Sequence, residues 1–120
     1  MFSNSIIEKK SFDFAIDAVE IYKFLIGRKR EFVLSKQFLR SATSIGANVN
    51  EALRGQSKKD FLAKMYIAFK EASESIYWIK LLTVTDYLDD ECGEELLLKC
   101  EELFKILNSI IKTTKTTLDS

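Results

Sequence analysis

The 120-residue chain contains no proline and no histidine. The first absence removes the strongest helix breaker. An average chain of this length carries about six prolines, so long uninterrupted helices are expected. The second absence removes the commonest general base and a common metal ligand. No Ser–His or Cys–His couple can activate a nucleophile. The Glu-x-x-His pairs of di-metal bundles are excluded as well. Glycine is scarce at four residues, and neither a P-loop nor a Gly-x-Gly-x-x-Gly run occurs.

Cysteine is limited to Cys92 and Cys100. On one helix, eight residues separate them by about 12 Å along the axis, too far for a disulfide. They are expected as core or half-buried thiols in a reducing compartment. No run of about 18 apolar residues is present, so no membrane span is expected. The start, MFSNSIIEKKSF, lacks the apolar stretch of a signal peptide. Together these features predict a cytoplasmic protein.

Hydrophobic residues make up 47% of the chain and charged residues 30%, as in ordinary soluble proteins. That suits a single domain, 1–120, with one modest core. The formal net charge is zero, but it is unevenly spread. Residues 1–85 carry fourteen Lys/Arg against nine Asp/Glu, whereas residues 86–102 carry eight acids and one lysine. A balanced total exerts no general pull on nucleic acid. A dipolar chain can still present a basic face.

Apolar periodicity predicts four helices, at about 12–27, 36–54, 58–87 and 91–117. In the first, Phe12, Ala15, Ile16, Val19, Tyr22 and Ile26 recur at helical spacing, with Ser11 as N-cap and Gly27 as C-cap. The second places Phe38, Ala42, Ile45 and Val49 on one stripe, with Ser35 as N-cap and Gly55 just past its end. Ser57 and Asp60 have the capping-box form and open the third helix. That helix carries a wide stripe: Phe61, Met65, Ala68, Ala72, Ser75, Ile79 and Leu82 in one row, with Leu62, Tyr66, Phe69, Ile76 and Tyr77 beside it. So much apolar surface exceeds the need of a monomeric bundle and points to oligomerisation. Asp89 or Asp90 caps the fourth helix, where Leu96, Leu103 and Ile110 repeat by seven, as do Leu97, Phe104, Ile111 and Leu118. Short connections favour an all-α, antiparallel up-down-up-down four-helix bundle.

The second helix is unusual in carrying Ser41, Thr43, Ser44, Gly46, Asn48 and Asn50, all mediocre or poor helix formers. Arg40, Ser44, Asn48 and Glu51 fall on one face. They form either a solvated face or a partly buried polar network with Glu74, Glu71 or Ser75 of the third helix. If that network is buried, Glu51→Ala should cost more than about 1 kcal/mol. An all-carboxylate metal site from Glu51, Glu71 and Glu74 is the one enzymatic constellation the composition leaves open. No catalytic residue, cofactor site or metal site is assigned, and no enzymatic activity is expected. Arg28, Lys29, Arg30, Arg54, Lys58 and Lys59 cluster near helix ends. They are candidate nucleic-acid contacts, or else solvated, dipole-matched lysines and arginines.

The run from Gln37 to Ala52, QFLRSATSIGANVNEA, closely resembles the signature of a bacterial family of small four-helix-bundle proteins. The family is named for intervening sequences in large-subunit (23S) ribosomal RNA genes, and its members are sometimes labelled ribosomal proteins. Gly55, Ser57, Lys58, Asp60 and Phe61 match its helix two–three junction, and Ala68, Ala72 and Glu74 fit its third helix. The resemblance implies a bundle that forms homopentamers. It also implies kinship with accessory variability proteins of retroelements, whose basic ring binds reverse transcriptase and RNA. This chain differs from that branch in its neutral charge and acidic fourth-helix start. The resulting expectation is a non-enzymatic oligomeric assembly or adaptor module whose partner is itself, together with a protein or RNA. The alternative is an RNA-binding accessory protein acting through a basic face of a ring.

Overall fold

In the computed structural model the chain forms four helices over the described residues 4–119, with side chains described over 6–116. They are α1 (Asn4–Gly27), α2 (Leu34–Leu53), α3 (Lys58–Val84) and α4 (Asp90–Asp119). Each packs against its sequence neighbour, and α4 returns to α1, giving an antiparallel bundle of 50 × 21 × 20 Å. The α1–α4 seam is much the thinnest of the four.

Local chemistry explains where the helices start. Glu31 precedes α2 and its carboxylate accepts hydrogen bonds from the backbone N–H groups of Val33, Leu34 and Ser35, at 3.1, 3.0 and 2.7 Å. Glu31, and not Ser35, is therefore the cap. Ser35 sits buried in the first turn and donates its hydroxyl to the Glu31 carbonyl. Ser57 caps α3 as its spacing predicts, accepting from the Asp60 N–H at 3.1 Å. Asp89 caps α4 by accepting from the Cys92 N–H at 2.8 Å.

The first helix departs most from the sequence reading. It begins eight residues earlier than predicted, and Ser11 lies buried inside it with its hydroxyl bonded to the Glu8 carbonyl. Its core face is Ile7, Phe14, Ala18 and Leu25. Phe12, Ile16 and Val19, which recur at helical spacing, are exposed instead. Helix C-termini also differ from expectation. Neither Gly27 nor Gly55 adopts the left-handed region; Arg30 (φ 55°) and Asp86 (φ 69°) do.

The other three helices follow their stripes. Phe38, Ala42, Ile45 and Val49 of α2 face Met65, Ala68, Ala72 and Ile79 of α3, all buried. In α4, Leu96, Leu103 and Ile110 are buried as the heptads predict, and Phe104 stacks on Phe69 with centroids 4.5 Å apart. Leu118 lies outside the residues whose side chains are described.

Candidate functional site

The polar residues of α2 divide by direction. On the α3 side, Arg40 reaches two carboxylates one turn apart. Its Nη1 donates to Glu71 at 2.9 Å and its Nη2 to Glu74. The indole Nε1 of Trp78 donates to the same Glu74 oxygen at 3.3 Å. The cluster lies at the surface, with the Arg40 side chain 53% exposed. Hydrogen bonding to Glu71, then its charge, raises the guanidinium pKa above the usual arginine range.

The rest of the predicted row does not join this cluster. Ser44 donates to the Arg40 carbonyl and Asn48 to the Ser44 carbonyl, each four residues back on its own helix. Exposed Glu51 meets Lys64 at 3.6 Å. Arg40–Glu74 is therefore the one side chain-to-side chain contact formed among the five proposed network residues, and Glu71 completes it. Glu71 was legible as the residue one turn before Glu74 on the same face. The buried polar link between α2 and α3 lies elsewhere. Ser75 donates to Ser41 at 2.9 Å, and Ser41 donates to the Phe38 carbonyl at 3.1 Å. Both serines are fully buried.

Glu51, Glu71 and Glu74 do not converge as a metal site, because basic side chains occupy all three carboxylates. Among the described residues no cluster of three or more Cys, Asp or Glu is placed to hold a metal ion. The cysteines are free. Burial pushes the Cys100 thiol up to about 12, and its S–H points at the Ala72 carbonyl 3.4 Å away. Burial, with Asp89 and Glu95 adding, also raises the half-buried Cys92. Neither thiol has the electropositive setting of a reactive cysteine.

The six basic candidates form two groups. Arg28, Lys29 and Arg30 precede α2, and Arg54, Lys58 and Lys59 follow it, so the length of α2, about 30 Å, separates them. The first group shares its end of the bundle with the acidic α3–α4 turn and the start of α4. The second shares its end with Lys112 and Lys115 near the end of α4.

An uncovered apolar ridge runs along α1. Phe12 is 65% exposed, Ile16 48% and Val19 37%. It flanks the α1–α2 seam, where Gly46 approaches the Ser11 backbone so closely that an added Cβ would sit 3.3 Å from the Ser11 carbonyl oxygen. Beyond Gly46, α2 exposes Ala47 and Asn50 and half-exposes Thr43. The opposite flank of α1 faces α4 across a half-open hollow of about 300 Å³. Two ion pairs bridge it, Lys10–Glu102 at 3.1 Å and Lys99–Asp17 at 3.0 Å. The Asp17 hydrogen bond raises the Lys99 pKa above its ordinary value.

Sequence comparison bears on this surface chemistry. The profile of the 23S rRNA-intervening sequence proteins matches residues 3–109, nearly the whole chain. The chain belongs to this family. A solved member of the S23 ribosomal protein family from Bacteroides thetaiotaomicron VPI-5482, described as a protein of unknown function, has 49% sequence identity and a TM-score of 0.87. The match covers 88% of this chain and 98% of that one. No curated protein matches the chain. The match to a solved structure of unknown function supports the bundle fold and brings no activity with it. No described helix is long and apolar enough to cross a membrane.

Proposed function

We propose that this intervening-sequence protein is a non-enzymatic, cytoplasmic homo-oligomer that serves as an assembly or adaptor module. The ridge of Phe12, Ile16 and Val19 carries this reading, because three large apolar side chains on one helix face are left to water by the bundle's own core. Phe12 follows Ser11, so the ridge begins just beside the seam with α2, where small residues leave room for a close-packed helix. A ridge and a neighbouring shallow face on one chain favour a head-to-tail contact that closes into a ring. Five copies is the number the family resemblance implies.

Light scattering at micromolar concentration tests the assembly. The expected mass is a multiple of 13.8 kDa, five times that value for a pentamer. Ile16→Glu should reduce it to one copy without loss of helix content, since Ile16 makes no part of the core. A monomeric wild-type chain would overturn the oligomer.

The RNA-binding alternative draws on the end that carries Arg54, Lys58, Lys59, Lys112 and Lys115. Among the described residues, Lys58, Lys59, Lys112 and Lys115 make no ion pair, and Arg54 meets Glu8 only at 3.9 Å. Repetition around a ring would add these charges together. Binding of structured RNA that falls steeply with salt, and is lost in Lys58→Glu with Lys59→Glu, would support it. No binding at about 0.1 M salt would exclude it.

A further inference from the structure

The end of the bundle formed by the α1–α2 loop and the α3–α4 turn joins opposite charges to exposed apolar groups. The loop carries Arg28, Lys29 and Arg30; the turn and the first turn of α4 carry Asp86, Asp89, Asp90 and Glu91. Among the described residues none of these seven forms an ion pair, although both sets sit at one end of a bundle only 21 × 20 Å across. The same end exposes Val33 (69%) and Val84 (81%), together with Phe32, whose ring lies 5.2 Å from the Arg30 guanidinium.

We propose that this end pairs with the same end of a second copy about a two-fold axis, basic loop against acidic turn, with the exposed valines and Phe32 between them. A polyanion such as RNA or an anionic lipid surface would meet the acidic turn as well as the basic loop, and the two nearly cancel. A second copy presents both charges in the complementary order, so one rotation satisfies each set, as a self-complementary two-fold contact requires. The end offers roughly 400 Å² per partner, half of a standard interface, so the pairing is weak and sensitive to salt. It uses a different surface from the α1 ridge. Its effect is to double whatever assembly the ridge produces, whether a ring or a single copy.

Charge reversal tests it. The probes are wild type, Arg28→Glu with Lys29→Glu, and Asp90→Lys with Glu91→Lys, the last two confirmed folded by circular dichroism. Asp89 is left intact because it caps α4. At high protein concentration and about 0.05 M salt, wild type should show twice the mass it shows at about 0.5 M salt. Each reversed variant alone should show only the undoubled mass, and an equal mixture of the two should regain the doubled mass. A wild-type mass unchanged by salt overturns the pairing, as does a doubled mass kept by either variant alone. Binding of polyuridylate that the first variant loses, with no doubling in wild type, assigns the loop to RNA and overturns it too. Loss of the ridge assembly in Ile16→Glu halts ring formation but leaves this twofold change with salt in place, so the two readings fail separately.

Discussion

At the scale of single residues, Glu31 carries the clearest consequence. One carboxylate satisfies three N–H groups that would otherwise be unpaired at the start of α2. Burial raises its pKa, but the bonds from Leu34, Ser35 and Val33 more than offset this and hold it below its ordinary 4.5. A depressed folded-state value means the stabilisation is fully present above about pH 4.5 and is lost as pH falls through the folded value. Glu31→Gln should cost about 1–2 kcal/mol at pH 7 in urea titrations, and its gap from wild type should narrow below about pH 4.5. The buried serines give a second outcome. Ser41→Ala strands the Ser75 hydroxyl and should cost about 1–3 kcal/mol, whereas the double alanine variant should cost less than that single one. Glu51→Ala, by contrast, should stay within about 0.5 kcal/mol of wild type, because its carboxylate is exposed and meets only Lys64. The spacing of Arg40, Ser44, Asn48 and Glu51 assigns them to one face. Spacing carries no information about depth, however, and a side chain bonded to its own helix looks the same in sequence as one bonded across an interface. Glu31 was missed because a carboxylate that folds back from outside the helix has no fixed offset like that of Ser57 and Asp60.

At the scale of elements, α2, α3 and α4 were legible because each has one dominant apolar stripe. Helix α1 has two, Ile7–Phe14–Ala18–Leu25 and Phe12–Ile16–Val19, and periodicity alone ranks them equally. Starting the helix at Phe12 hid Ile7, the residue that extends the first stripe by two turns. The stripe that this start singled out is thus the exposed one and, in the same residues, the candidate assembly surface. Glycines show a related division. Gly27 has no neighbour within 4 Å of an added Cβ, so nothing in the packing requires it. At Gly93 of α4 a Cβ would sit 2.2 Å from Thr83 Oγ1 of α3, so the two helices cross closely there. Gly93→Ala should therefore destabilise by about 1–3 kcal/mol despite alanine's better helix propensity. Pairing it with Thr83→Ala, which removes the two closest atoms, should restore part of the loss in thermal melts; a single variant as stable as wild type would disprove the close crossing.

At the scale of the whole molecule, the helices are not held equally. The α2–α3 pair forms the thickest seam, while α1 leans on α2 and meets α4 across a half-open hollow bridged by exposed ion pairs. Exposed pairs of this kind contribute little and are screened by salt. Local opening should begin where apolar contacts are fewest, so α1 amides should lose hydrogen-exchange protection before those of α2 and α3. The proposed assembly through the ridge would act on the same helix. A neighbour seated on Phe12, Ile16 and Val19 would bind the closed bundle and not the opened one, so protection of α1 should rise with protein concentration. Exchange measured at two concentrations a hundredfold apart separates the effects. The expected result is a rise confined to α1 and the exposed side of α2, abolished by Ile16→Glu, with the centres of α3 and α4 unchanged. Uniform protection at both concentrations would place the weak element elsewhere and leave the ridge without a neighbour.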